Sequence, residues 1–387
     1  MLEKALFGSK KYYAWLTALM AVIGLGFLFY LYQLSEGLGI TGMSRDVSWG
    51  FYIAQLTFFV GVAASAVMVV LPYYLHNYKE FGRITILGEF LAVASILMCM
   101  LFVTVDLGKP FRLLNIFRYP SLNSVLFWDV VVLSGYLGLN ILIGWITLSA
   151  ERKSVPPPAW IKPLIYLSIP WAVSIHTVTA FLYAGIPGRG FWLTAILAPR
   201  FLSSAFAAGP SLLIILALLI RKVTSFDAGT KAIQTLAKIV TYAIIINVFF
   251  FSLEVFTVFY SQIPEHKQHF IYLFQGLHGK NALVPWMWSS LIMAFIAIAL
   301  LIVPATRKNE TILSIACVLV FLSTWIDKGL GMISGGFVPS PMEHITEYMP
   351  TIPELFISFM IYAIGLLVLT MLYKITLSVK ESQAGQA

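Results

Sequence analysis

Ten apolar runs, each about 20 residues or longer, leave this chain little sequence for anything else. They cover 12–32, 48–75, 84–105, 124–148, 160–185, 201–220, 233–259, 281–303, 311–330 and 353–377. A run of that length crosses a hydrocarbon layer as a helix. In lipid a spanning segment must satisfy its own backbone, which restricts it to helices and closed barrels. The expected fold is an all-α integral membrane protein of about ten transmembrane helices, forming a single polytopic domain over residues 1–387. Composition points the same way: 59% hydrophobic residues against 11% charged cannot clothe a soluble surface.

The first run follows Lys4, Lys10 and Lys11. That basic start resembles a signal peptide, but the run is too long and no small-residue cleavage site follows, so a retained signal anchor is expected. Sorted by side, about 16 Lys and Arg residues fall with the two termini and about 9 on the opposite face. The positive-inside rule then puts both termini in the cytoplasm of a prokaryotic cell, the chain crossing its inner membrane. The net charge of +8 reflects this bias and gives no ground for nucleic acid as a partner. The tail from about Ser378 to Ala387 is short and polar and is expected to be disordered.

Ionisable groups inside such runs are functional candidates, because each is expensive in hydrocarbon without a partner or a wet cavity. Glu89, Asp129, His176, Glu254 and Asp327 lie within the runs, and Asp106 at the edge of one. Cys99 and Cys317 are isolated in mid-span, far from any second thiol, and cannot hold an iron–sulfur cluster or zinc. Of six histidines only His176 is clearly inside a span, so the paired axial ligands of a membrane haem are missing. What remains is a carrier of ions or solutes, or a quinone-binding subunit.

The loops on the face away from the termini are rich in turn-formers and aromatics. They include Asp106-Leu107-Gly108-Lys109-Pro110-Phe111-Arg112, a stretch with Glu265, His266, His269 and His278, and a long loop from Gly331 to Pro353. They look built to pack against a partner. The chain resembles the NrfD/polysulfide-reductase membrane-subunit family, and within it the DsrP/HmcC branch. The resemblance is carried by the 106–112 stretch, Ser124-Val125-Leu126-Phe127-Trp128-Asp129, and Ser174-Ile175-His176-Thr177. It continues through Trp192, Ala198-Pro199-Arg200-Phe201-Leu202, Ala205 to Pro210, Lys328-Gly329-Leu330-Gly331 and Gly336-Phe337-Val338-Pro339. It implies two central four-helix bundles with peripheral helices, and menaquinone bound near the outer membrane face. It also implies a ferredoxin-like [4Fe–4S] partner there, as in a DsrMKJOP-like complex of sulfur metabolism that also holds a cytochrome b and a cytochrome c.

Quinone chemistry moves two protons with two electrons, so groups that bond the quinone oxygens and exchange protons are required. His176 suits both tasks, although it could equally be a packing histidine bonded to Thr177 or Thr179. Asp129 could accept quinol protons or pair with Arg112 or Arg200. Arg200 could fix a quinone oxygen or pair with Asp129. Trp128 and Trp192 adjoin these groups and could stack on a quinone ring, where most other tryptophans read as interfacial anchors. Glu89, Glu254 and Asp327, with Asp106 at the edge, could relay protons, and Asp327 could instead form a local ion pair with Lys328. The rival reading is a secondary transporter or proton channel, which would be expected to show broken spans and a site at the midplane.

Overall fold

The computed structural model describes residues 3–384, with side chains through Glu381. Among the described residues there are no β-strands, and ten helices are long and apolar enough to cross a membrane. These are α1 Lys10–Glu36, α2 Phe51–Leu75, α3 Thr85–Asp106, α4 Val125–Arg152 and α5 Ile161–Ala184. They continue as α6 Leu197–Val223, α7 Thr230–Ser261, α8 Val284–Ile302 and α9 Glu310–Gly336. The last, α10, runs Ile352–Ala384. An even number of crossings puts both termini on one face, and Lys4 Nζ does reach the Ser378 carbonyl at 3.5 Å. That side is called the terminal face below, and the other the loop face.

The helices sort by their contacts into two four-helix bundles. In the first, α2 packs on α3, α3 on α4, α4 on α5, and the terminal half of α2 on α5. In the second, α6 packs on α7 and α9, and α8 on α7 and α9. The seam is formed by α2 and α5 against α6, and by α2 against α9. The outer pair is α10, which leans on α3, and α1, which packs on α10. Gly26 permits that last approach, since a Cβ there would stand 2.5 Å from the Phe356 carbonyl oxygen.

Position in the bundle follows from which faces of a helix are apolar. α2 is buried along its whole apolar window, while α1 is mostly bare to lipid. Lipid tails are as apolar as leucine, so helices associate by close packing, and small residues allow it. At the seam Gly209 of α6 sits against α2 where that helix tightens at Ala63–Ser65. A Cβ on Gly209 would lie 2.8 Å from the Ser65 amide nitrogen and 2.9 Å from the Val62 carbonyl oxygen.

Three segments depart from the sequence expectation. α9 does not end near Gly331 but widens into a π-helical turn over Trp325–Gly331 and continues through Met332–Phe337. Its glycines serve close helix packing: a Cβ on Gly336 would collide with the Trp192 ring. The connection after α7, read as a loop, contains a helix, Pro264–Phe274. That helix buries Phe270, Tyr272 and Leu273, and its His269 Nδ1 meets the Gly335 and Val338 carbonyls at 2.9 and 2.8 Å. The tail is helical to Ala384, because Lys380 pairs with Glu151 at 2.8 Å and Glu381 accepts from Ser225. Its last three residues, 385–387, lie outside the described residues.

The α2–α6 crossing generates a test. Gly209→Val forces backbone apart at a contact with no flexible side chain to yield, an overpacking cost of about 1–3 kcal/mol. A lowered thermal midpoint in detergent is expected, whereas Gly138→Val, in open space on α4, should leave it unchanged.

Candidate functional site

Polar groups in the spans concentrate in the loop-face half, where each bundle has a cavity with a carboxylate in its wall. In the first bundle the cavity holds about 250 Å³ between α2, α3, α4, α5 and the turn after α3. Its polar lining is Trp49, Asp106, Arg112, Asp129 and Tyr183, and its apolar lining includes Leu56, Val103, Leu126 and Leu182.

Helix geometry sets the depth of each group. Asp129 is one turn into α4, about 6 Å from its start at 1.5 Å per residue. It is 3% exposed, and its Oδ1 accepts a 2.6 Å hydrogen bond from Thr179 of α5. One turn nearer the loop face, Tyr183 is hydrogen-bonded to Thr57 of α2 and lies edge-on to the Trp49 ring at 5.6 Å. Asp106 ends α3, and its Oδ1 is buried without a hydrogen-bond partner. Arg112 is exposed at the rim, and among the described residues neither aspartate forms an ion pair with it. A buried acceptor left unmatched costs roughly 1–3 kcal/mol.

His176 lies two turns below Tyr183 on the same face of α5, wholly buried and outside the cavity lining. Its Nδ1 bonds the Ala172 carbonyl at 2.7 Å, which makes Nδ1 the donor. Its Nε2 faces the Gly61 backbone without completing a hydrogen bond. Opposite, from α9, comes Lys328, buried with its ammonium 3.4 Å from the Phe201 carbonyl oxygen and 4.1 Å from the Phe201 ring centre. His176 and Lys328 thus both lie beside Gly61 at the seam.

The second bundle is organised around Arg200, which is one turn into α6 and buried. One guanidinium nitrogen bonds Glu254 of α7, and the other holds both oxygens of Asp327 at 2.9 and 3.0 Å. Phe251 covers the guanidinium at 5.2 Å, and Ser203, one turn along α6, bonds Asn247 at 3.4 Å. Above the ion pair opens a cavity of about 370 Å³ between the 190–196 connection, α7 and the Pro264–Phe274 helix, with Glu254 in its wall.

The structure therefore separates residues that the sequence left together. Asp129 does not pair with Arg200, because α5 stands between α4 and the second bundle. Asp327 pairs with Arg200 and not with adjacent Lys328. Trp128 is 45% exposed and donates to the Leu122 carbonyl, in the manner of an interfacial anchor. Trp192 is fully buried, donates to the Met332 carbonyl and packs against Trp49 and Phe337 outside the first cavity. Glu89 lies one turn from the terminal end of α3, beside Gly144, its Oε2 buried and unbonded. It is thus well apart from Glu254 and Asp327. Thr179 and Tyr183 went unremarked as site residues, yet with His176 they make a polar stripe at three- and four-residue spacing, the signature of one helix face.

Residues 39–339 match the family described as "Polysulphide reductase, NrfD", and the chain belongs to that family. A putative dimethyl sulfoxide reductase membrane subunit of Halobacterium salinarum is 26% identical, over 83% of this chain and 76% of that one. The Hdr-like menaquinol oxidoreductase integral membrane subunit of Archaeoglobus fulgidus is 24% identical, over 88% and 82%. The menaquinone reductase integral membrane subunit of Nitratidesulfovibrio vulgaris is 22% identical, over 94% and 91%. The chain is thus a membrane subunit of the quinone oxidoreductase type, from a class that works in multi-subunit complexes.

The Arg200 cluster carries a stability prediction. Arg200→Met strands two carboxylates, Glu254 buried and Asp327 partly so, and should cost about 3–5 kcal/mol. Adding Glu254→Gln and Asp327→Asn removes the stranded charge, so the triple variant should recover most of the lost thermal midpoint. A triple variant no more stable than Arg200→Met would contradict this.

Proposed function

We propose that the first-bundle cavity binds the head group of menaquinone, and that the chain exchanges electrons there with an iron–sulfur partner docked on the loop face. The observation that carries this is the union in one apolar cavity of a buried aspartate, an orphaned carboxylate oxygen, a tyrosine and a rim arginine. Its volume approaches the ~300–1,000 Å³ usual for small-molecule sites. Apolar side chains such as Leu126, 47% exposed at the level of lipid, give a lipid-soluble ligand a way in. The names of two relatives, a menaquinol oxidoreductase subunit and a menaquinone reductase subunit, support the choice of quinone.

The quinone, when bound, supplies a two-electron, two-proton redox couple. The chain supplies the rest. Asp129 takes or returns a proton, held in place by the Thr179 hydroxyl. The free Asp106 Oδ1 offers a second acceptor. Tyr183 and the Trp49 ring form the polar side of the wall. His176, behind Thr179, receives protons from the site and does not touch the ligand. The electrons pass between the quinone and the iron–sulfur centres of the docked partner.

The remaining assignments follow from the charge bias and the motifs. With basic residues gathered on the terminal face, that face is cytoplasmic and the loop face looks outward. The DsrP-like motifs support a ferredoxin-like [4Fe–4S] partner and a place in sulfur metabolism. Glu254 and Asp327 handle protons in the second bundle, and Glu89 marks an opening on the terminal side.

In the purified complex, Asp129→Asn keeps the Thr179 contact and should retain bound menaquinone. Quinol-driven reduction of the partner's clusters should fall about 10²–10⁴-fold, as for loss of a general base. Unchanged turnover, or a wild-type complex without quinone, would overturn the proposal.

A further inference from the structure

The second cavity is larger than the first, and its polar lining differs in kind. Along α7 its wall carries Ser261, Thr257 and Glu254, spaced by four and three residues. That spacing puts all three on one helix face, descending one turn at a time from the loop end toward the ion pair. Thr257 and Ser261 are exposed, and Glu254 is buried. The two hydroxyls donate to carbonyls of their own helix, Leu253 at 2.8 Å and Val258 at 3.3 Å, which leaves their lone pairs to accept from water. Thr194 and His266 add polar groups from the facing connection and surface helix. A space of about 370 Å³ with polar groups at each level far exceeds the ~10–15 Å³ that one water needs.

We propose that this cavity is a water-filled proton port, through which Glu254 exchanges protons with the aqueous phase on the loop face. The port rests on the proton-handling part of the function proposed above. In the inward direction a hydronium ion in the cavity gives up its proton, an O–H bond forms on the Glu254 carboxylate, and a water molecule remains. The reverse step returns the proton to water. The ion-pair geometry permits either one. When Glu254 is neutral, Arg200 is still held through both oxygens of Asp327, so the guanidinium is never left unpaired in hydrocarbon. One residue on, the π-turn of α9 directs Lys328 to the far side of Phe201, toward His176 and the first bundle. A π-turn often marks a functional position. The port thereby opens on a chain of ionisable groups that crosses the seam.

Cysteine accessibility tests this directly, since Cys99 and Cys317 are both buried and give little background. In the complete complex in proteoliposomes, Thr257→Cys should react with a charged, membrane-impermeant methanethiosulfonate at least about tenfold faster than Ile245→Cys, on the lipid side of the same helix, because the attacking thiolate needs water. The attached group should then reduce the charge moved per electron, while electron transfer from menaquinol to the partner, measured with the potential collapsed by an uncoupler, stays unchanged. An unreactive Thr257→Cys would show a dry cavity and overturn the port while leaving the quinone reading intact. Fast labelling with charge movement unaltered would overturn it as well, as would a wild-type complex that oxidises quinol without moving charge. Absence of quinol oxidation in the unlabelled wild type would overturn the function proposed above, and the labelling rates alone would then decide whether the cavity is wet.

Discussion

Arg200 cannot lie inside an apolar bundle unless its charge is matched, and the helices that match it fix the assembly of the second bundle. Glu254 ties α7 to α6, and Asp327 ties α9 to α6. The first bundle uses single hydroxyl hydrogen bonds to the same end: Thr179 joins α5 to Asp129 of α4, and Tyr183 joins α5 to Thr57 of α2. Deeper in the membrane, contact passes largely to small residues such as Gly209 against Ser65. Polar contacts therefore locate these helices near the loop face, close backbone packing does so at the seam, and Lys380 with Glu151 ties α10 to α4 at the terminal face.

The same constraint explains why both cavities lie where they do. Charged groups in hydrocarbon must face each other or water, so the packing around them stays incomplete on one side. The first cavity opens among leucines at the level of lipid and suits a ligand that arrives through the membrane. The α7 wall of the second carries hydroxyls that climb toward the loop face and suits water. Asp129 and Glu254 hold comparable places, one and two turns below the loop face, yet they meet different neighbours. Asp129 has a single hydroxyl, and Glu254 has a guanidinium shared with a second acid.

The number of helices and the burial of the acids were legible because each depends on local composition: a run of apolar residues, or a charge within one. The two-bundle arrangement came only through the family resemblance. Partnerships were less legible. Nothing local to Asp129 or Arg200 says that α5 will stand between them, nor that Asp327 will turn to Arg200 and leave adjacent Lys328 without it. Gly335 and Gly336, within the stretch read as a loop from Gly331, lie in a helix, where their missing side chains make room for Leu273 and Trp192. The stripe of His176, Thr179 and Tyr183 was present in the spacing and needed only a helical projection to be seen.

The proposed function puts the ligand's head group in the first bundle and not in the second. Photolabelling of the membrane-embedded complex with an azido-menaquinone analogue, followed by peptide mapping, tests it most directly. The label is expected on the walls of the first cavity, in the stretches around residues 103–113, 126–130 and 182–183. A label on residues 190–196 or 254–270, competed by unlabelled menaquinone, would contradict it.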